Sequence, residues 1–233
     1  RSTLAFLALG LLIVLWMAVL TGIPGGVIGG AGENREQRAS KSIYRQREFW
    51  LIGFCVALGL NVSIVLAVCY PPHFINEGFS VAQAGWFLSV AGMWGGRGKG
   101  CLAWLGDAAR AHAKWLAAGA LLLQVVGFCL LLSADTAPRV VAALFFLGSG
   151  GGAFIPLHPY LNSRYFDAAI IGQVNGAQMP LFLPFGLVGA PLAGFVYDRT
   201  GSYDGVLIGL TVVLVLAMVL ALALSASGKE AGG

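Results

Sequence analysis

The chain has 233 residues, of which 58% are hydrophobic and only 10% charged, and its mean hydropathy is +0.83. Soluble globular domains carry about 25% charged residues, so this composition excludes them and implies an integral membrane protein with the lipid bilayer as its first partner. The formal charge of +4 comes from basic residues spread over separate gaps, and without a single basic stripe nucleic acid is not an indicated partner.

Seven apolar stretches lie near 3–23, 49–70, 80–105, 113–133, 138–157, 168–196 and 204–226. Each is long enough to cross ~30 Å of hydrocarbon at ~1.5 Å per residue. The expected fold is all-α and membrane-integral. Cations on alternate sides divide unevenly. One side holds Arg35, Arg38, Lys41, Arg45, Arg47, Arg97, Lys99, Arg110, Lys114, Arg164 and Lys229; the other holds Arg1, Arg139 and Arg199. By the positive-inside rule the richer side is cytoplasmic, which places the C-terminus inside and the N-terminus outside. The expected location is a bacterial inner membrane.

In chain order, 1–23 reads as the last helix of an N-terminal bundle whose earlier part is missing, since the chain begins with Arg. A signal peptide fits less well, because the apolar run is long and cleavage would leave the basic segment on the wrong side. Residues 24–48 are Gly-rich and then polar, as in a flexible cytoplasmic linker. The remaining gaps are short, so 49–226 reads as one antiparallel six-helix bundle, followed by a cytoplasmic tail, 227–233.

The third stretch opens with Ser80-Val81-Ala82-Gln83, a capping box. Within it Gly92, Gly96 and Gly100 recur every fourth residue, a predicted ridge for close helix approach. Gly148/Gly152, Gly172/Gly176 and Ala190/Gly194 repeat the spacing. Pro180, Pro184 and Pro191 interrupt the sixth stretch, and Pro156 and Pro159 end the fifth. Such prolines produce either simple kinks or helix breaks that line a cavity.

Arg97 and Lys99 stand inside the third stretch, about 200° apart on a helix, so they cannot both face one cavity. Either they snorkel or the span ends near Gly96 with a loop, or one of them binds an anion. The string Gly95-Gly96-Arg97-Gly98-Lys99-Gly100 is not a P-loop. Met93 occupies its first glycine position, and Gly100 replaces the hydroxyl residue that would hold magnesium. Among uncharged polar residues, Asn61, Ser63, Gln124, Gln173, Asn175 and Gln178 lie within spans, where each can contact a substrate or tie helices together.

His73, His112 and His158 fall at span ends, where solvated or capping roles are expected. Cys55, Cys69, Cys101 and Cys129 read as buried thiols, and no metal-ligand spacing or cofactor motif stands out. No nucleophile and base pair can be named, so an enzyme is not the reading.

Three segments carry a resemblance. Gly189-Ala190-Pro191-Leu192-Ala193-Gly194 leading to Tyr197-Asp198-Arg199-Thr200-Gly201-Ser202-Tyr203 resembles the run that closes the penultimate helix of major facilitator superfamily transporters. It is most similar to the monocarboxylate-porter and oxalate/formate-antiporter branches. Asn162-Ser163-Arg164-Tyr165-Phe166, with Gly172 and Gly176, resembles a cytoplasmic turn of those branches, with Asp167 replacing a Gly. Gly78-Phe79-Ser80, Gln83-Ala84-Gly85, Gly98-Lys99 and Leu105-Gly106-Asp107 resemble the eighth helix and its following loop motif, in which Ala108 replaces Arg and Arg110 replaces Gly.

The resemblance implies the C-terminal half of a major facilitator fold, with Asp107, Arg110 and Asp198 as gating or loop-motif residues. It also implies a substrate anion at Lys99, which stands eight residues before the loop Asp, with Arg97 as runner-up. Asn61, Gln124, Asn175 and Gln178 complete the candidate substrate-binding set. The function implied is secondary transport of a small organic anion, a carboxylate, by alternating access. An exporter of apolar or amphipathic compounds and a non-transporting membrane scaffold or sensor stay open as alternatives.

Overall fold

The computed structural model describes residues 43–108 and 112–225, which belong to one compact unit beginning at Ile43. The predicted helix at 3–23, nearly all of the linker, and Arg110 lie outside the described residues. The described part is all helical, with α1 (Arg47–Asn76), α2 (Val81–Ala108), α3 (Ala113–Leu131), α4 (Ala137–Phe154), α5 (Leu157–Tyr165), α6 (Ile171–Thr200) and α7 (Asp204–Leu222).

Five of these, α1, α3, α4, α6 and α7, are long and apolar enough to cross a membrane. The 28-residue α2 has the length, but its glycines and two cations lower its apolarity below that of a lipid-clad rod. It is helical without interruption through Arg97 and Lys99, which rules out the alternative of a loop at Gly95–Gly100. Large apolar side chains such as Trp104 and Trp115 stand exposed on the outside of the bundle, as lipid-facing residues do, while Ile52, Phe87, Leu121, Leu144, Leu161 and Leu207 fill its inside.

Packing follows an internal symmetry. α1 packs on α6 and α7, α4 packs on α2 and α3, and α3 packs on α7. Exchanging the first three spans of 49–226 with its last three leaves this pattern unchanged, as two repeats of three helices require.

Helix α4 sits between α2 and α3, and its sequence explains how. In Gly148-Ser149-Gly150-Gly151-Gly152, positions 148 and 152 share one face and position 150 points the opposite way. A methyl group at Gly148 would lie 2.6 Å from the Ala91 carbonyl oxygen of α2, and one at Gly152 would overlap the Gly95 carbonyl. At Gly150 the obstruction comes from Ala120 and Gln124 of α3. Backbone thus meets backbone on both sides, the contact that small residues permit where lipid supplies no hydrophobic drive.

The predicted ridge on α2 is displaced. Gly92, Gly96 and Gly100 have open space where a side chain would stand, whereas Gly95 and Gly98 face α4. Gly172, Gly176 and Gly194 are open as well, so of the predicted pairs only Gly148/Gly152 serves helix packing within the described residues.

Ends of helices match local chemistry. Ser80 and Gln83 form the predicted capping box, the Ser80 N–H donating to Gln83 Oε1 at 2.9 Å and the Gln83 N–H to Ser80 Oγ at 3.2 Å. The fifth predicted span, 138–157, ends as α4 at Ile155-Pro156, and a further short helix, α5, follows it. By contrast α6 runs unbroken through Pro180, Pro184 and Pro191, and α1 continues past its predicted end through Pro71 and Pro72.

Between α6 and α7, Gly201 adopts the left-handed conformation (φ 70°) that ends a helix, and its N–H donates to the Tyr197 carbonyl. Thr200 Oγ1 accepts from the Ser202 N–H and Ser202 Oγ accepts from the Asp204 N–H, so the next helix starts at once. Tyr197 and Tyr203 stack at 4.4 Å across this turn.

Candidate functional site

A cavity of about 360 Å³ opens between α1, α2, α3 and α4. Its walls are largely Leu, Ala and Gly, including Leu66, Leu88 and Leu147, and its polar groups are few: Ser63, Tyr70, Lys99 and Gln124. That size lies at the small end of ligand pockets, which run from about 300 to 1,000 Å³.

The glycine-rich segment of α4 makes the space. Gly148, Gly151 and Gly152 form one wall, Gly92, Gly95 and Gly96 of α2 another, and α3 brings Gln124 to the floor. A methyl group on Gly151 would sit at ordinary contact distance from both Gln124 Oε1 (3.7 Å) and Ser63 Oγ (3.8 Å). These two side chains therefore converge on the same point. Gln124 is 1% exposed and its Nε2 has no hydrogen-bond partner. The Gln124 atom that faces Gly151 is the amide oxygen, and a half-turn of the amide group presents the unpaired Nε2 there as a donor instead.

The candidate residues separate into four places. Lys99 and Gln124 line the cavity together. Arg97 does not; its guanidinium carbon lies 4.6 Å from the centre of the Trp94 ring, a cation–π contact, and Trp94 in turn packs edge-on against Phe145 at 4.6 Å. Asn61 faces α6, where a methyl group on Gly189 would collide with its Oδ1. Its role in the described bundle is at a helix contact.

Asn175 and Gln178 of α6 belong to a separate buried network with His158 and Asn162 of α5. The bonding fixes the donors. Asn162 Nδ2 gives its two protons to Asn175 Oδ1 (2.6 Å) and Gln178 Oε1 (2.7 Å), and His158 Nε2, 2.7 Å from the same Gln178 oxygen, is then the protonated ring nitrogen. Gln178 Nε2 donates to the Phe49 carbonyl of α1 at 2.8 Å. Four side chains thereby tie α5 and α6 to the start of α1. His158, expected to be solvated or capping, is 6% exposed, because the break at Pro156 turns it inward onto α6.

The gating candidates are partly visible. Asp107 lies in the last turn of α2, and Asp198 is exposed near the end of α6. At the same end of the chain fold as Asp107, Lys114 Nζ donates to the Leu224 carbonyl at 3.3 Å, a cation placed on the last carbonyls of α7. Of the cysteines, Cys55 and Cys69 are buried as expected, whereas Cys101 and Cys129 are exposed on helix faces.

His73 is also buried, against the expectation of a solvated or capping residue, and it stands beside Glu77, one turn on, and Asp204, which comes from far along the chain. Tyr70, His158 and Asn162 are the functional-site and network residues whose roles the sequence alone does not reveal, whereas Ser63 is among the in-span polar residues that it offers.

Comparison with known proteins places this geometry in a wider setting. The family model of the Major Facilitator Superfamily matches residues 2–186. Among curated proteins, monocarboxylate transporter 12 of Mus musculus is 24% identical over 184 residues, covering 76% of this chain and 38% of that protein. Monocarboxylate transporter 11 of Homo sapiens is 27% identical over 170 residues, covering 70% of this chain and 36% of that protein. The chain thus spans little more than a third of the length of these relatives.

Proposed function

The chain belongs to the major facilitator superfamily of membrane transporters, and from that membership we propose that it forms part of a secondary carrier for a small organic carboxylate. In this reading 49–226 is the C-terminal bundle of the carrier, with the cation-rich loops facing the cytoplasm. The named relatives are monocarboxylate transporters, which favours a carboxylate substrate.

The observation that carries the reading is the pairing of Lys99 with the unpartnered Gln124 amide in one cavity. A cation next to apolar walls attracts an anion more strongly than one surrounded by water, and the Gln124 amide and Ser63 hydroxyl then orient the carboxylate. The acid's carbon skeleton rests against Leu66, Leu88 and Leu147. Transport proceeds by rocking of the two bundles about this site, with Asp107, Arg110 and Asp198 at the loops that open and close.

Uptake of labelled carboxylates by the full-length protein in proteoliposomes tests this. Lys99→Gln abolishes uptake with membrane insertion unchanged, and Arg97→Gln, which removes only a contact on Trp94, leaves uptake near its starting level. Full activity in Lys99→Gln overturns the anion assignment and leaves the family intact. The predominance of Leu, Ala and Gly in the walls favours a second reading, an exporter of amphipathic compounds, for which Lys99→Gln has no effect on efflux.

A further inference from the structure

At the end of the bundle where α1 finishes and α7 begins, remote from the loop between α2 and α3, three ligating side chains meet. His73, Glu77 and Asp204 each offer an atom within 4.8 Å of the others. We propose that they bind a divalent transition-metal cation of the zinc type.

The buried histidine points to a ligand. His73 is 4% exposed and its Nδ1 has no hydrogen-bond partner, an arrangement that native interiors avoid unless something else occupies the position. Two carboxylates stand next to His73. Glu77 caps the C-terminal end of α1, the negative pole of that helix, where a cation is favoured, and Asp204 in the first turn of α7 brings a second negative charge. Among the described residues neither carboxylate forms an ion pair with Lys or Arg.

The donor set selects the metal. One imidazole nitrogen and two carboxylate oxygens, with a water to complete a tetrahedron, suit zinc; calcium and magnesium prefer six or more oxygens. Zinc bonds of ~2.0–2.2 Å hold tetrahedral donors roughly 3.3–3.5 Å apart. Starting from atoms within 4.8 Å, the two exposed carboxylates reach that spacing by side-chain rotation while buried His73 stays fixed.

The surrounding contacts hold the donors in register. Asn76 Nδ2 donates to the Gly201 carbonyl at 3.3 Å, Tyr197 Oη donates to Asn76 Oδ1 at 3.4 Å, and the Tyr203 ring stands edge-on to His73 at 6.3 Å. The turn from Tyr197 to Tyr203 is thereby docked on the end of α1, with Asp204 next to His73. A bound cation would fasten the start of α7 to the end of α1.

The experiment is a titration of the purified full-length chain, stripped with a chelator, with Zn²⁺ followed by thermal unfolding and with Co²⁺ followed by its visible absorption. One saturable site, a tetrahedral Co²⁺ spectrum and a raised unfolding temperature are expected. Exchange of a buried His73 risks the fold, so the exposed-carboxylate variants Glu77→Gln and Asp204→Asn decide. Each should weaken Zn²⁺ binding by roughly tenfold or more, while His112→Gln, at an exposed histidine elsewhere, leaves it unchanged. Affinity in Glu77→Gln and Asp204→Asn equal to that of the unaltered chain, an octahedral Co²⁺ spectrum, or no saturable binding would overturn the proposal.

Discussion

Gly98 of α2 approaches Ser149 of α4 so closely that a methyl group on the glycine would overlap the serine carbonyl, and its next neighbour would be the Ala153 nitrogen at 3.0 Å. Both obstructing atoms are backbone, which cannot swing aside as a long side chain can. Gly98→Val should therefore destabilise the bundle by about 1–3 kcal/mol or separate the two helices. Gly100→Ala, where the space is open, should be neutral or stabilising by up to ~1 kcal/mol. Thermal unfolding in detergent distinguishes the two; equal losses would contradict the contact.

Gly151 and Gln124 govern the cavity in different ways. Gly151→Ala places a methyl group at normal contact distance from Gln124 and Ser63, so stability should hold while bulkier substrates lose uptake first. Gln124→Leu keeps the volume and deletes the donor. Loss of a hydrogen bond to a charged ligand costs about 1.5–3 kcal/mol, so apparent carboxylate affinity should fall more than about tenfold with folding preserved. Uptake measured over a concentration series checks both.

The network around Gln178 should act on stability. In Gln178→Leu the Phe49 carbonyl, His158 and Asn162 lose their partner together, and buried groups left unpaired cost about 1–3 kcal/mol each before relaxation. A lowered unfolding temperature is the expected result. An unchanged temperature would place the network outside the structural core.

A similar contrast applies to two turns, one between α6 and α7 and one between α3 and α4. Gly201 holds φ at 70°, where a β-branched side chain is strained, so Gly201→Val should cost about 1–2 kcal/mol. Arg139 pairs with Asp135 at 2.6 Å, but both are well exposed, and Arg139→Ala should change stability by less than ~1 kcal/mol. Unfolding curves for the two variants provide the check.

The sequence reveals features governed by nearest neighbours. Ser80 and Gln83 lie one turn apart, and their capping box follows from that spacing alone. Gly148 and Gly152 are legible for the same reason. The ridge at Gly92, Gly96 and Gly100 has equally good spacing, yet α4 lies against Gly95 and Gly98, because which face of α2 meets a neighbour is decided by the whole bundle. Lys99 could be singled out as an intramembrane cation and through a family likeness, but its meeting with Gln124 needed the placement of α3. For His158 and His73, position at a span end suggests solvent, and both are buried instead. The first is turned inward by the break at Pro156, and the second is covered by a turn that arrives from far along the chain.

The three prolines of α6 give this bundle an uneven stiffness. Each ring leaves the carbonyl one turn earlier, at Gly176, Pro180 and Leu187, without its usual amide donor, and α6 is held mainly along the one side that packs against α1. The pair α2 and α4, joined backbone to backbone, resists shear as a single plate. Mechanical load applied across the membrane would thus be absorbed by flexure of α6, the compliant strut of an otherwise rigid frame.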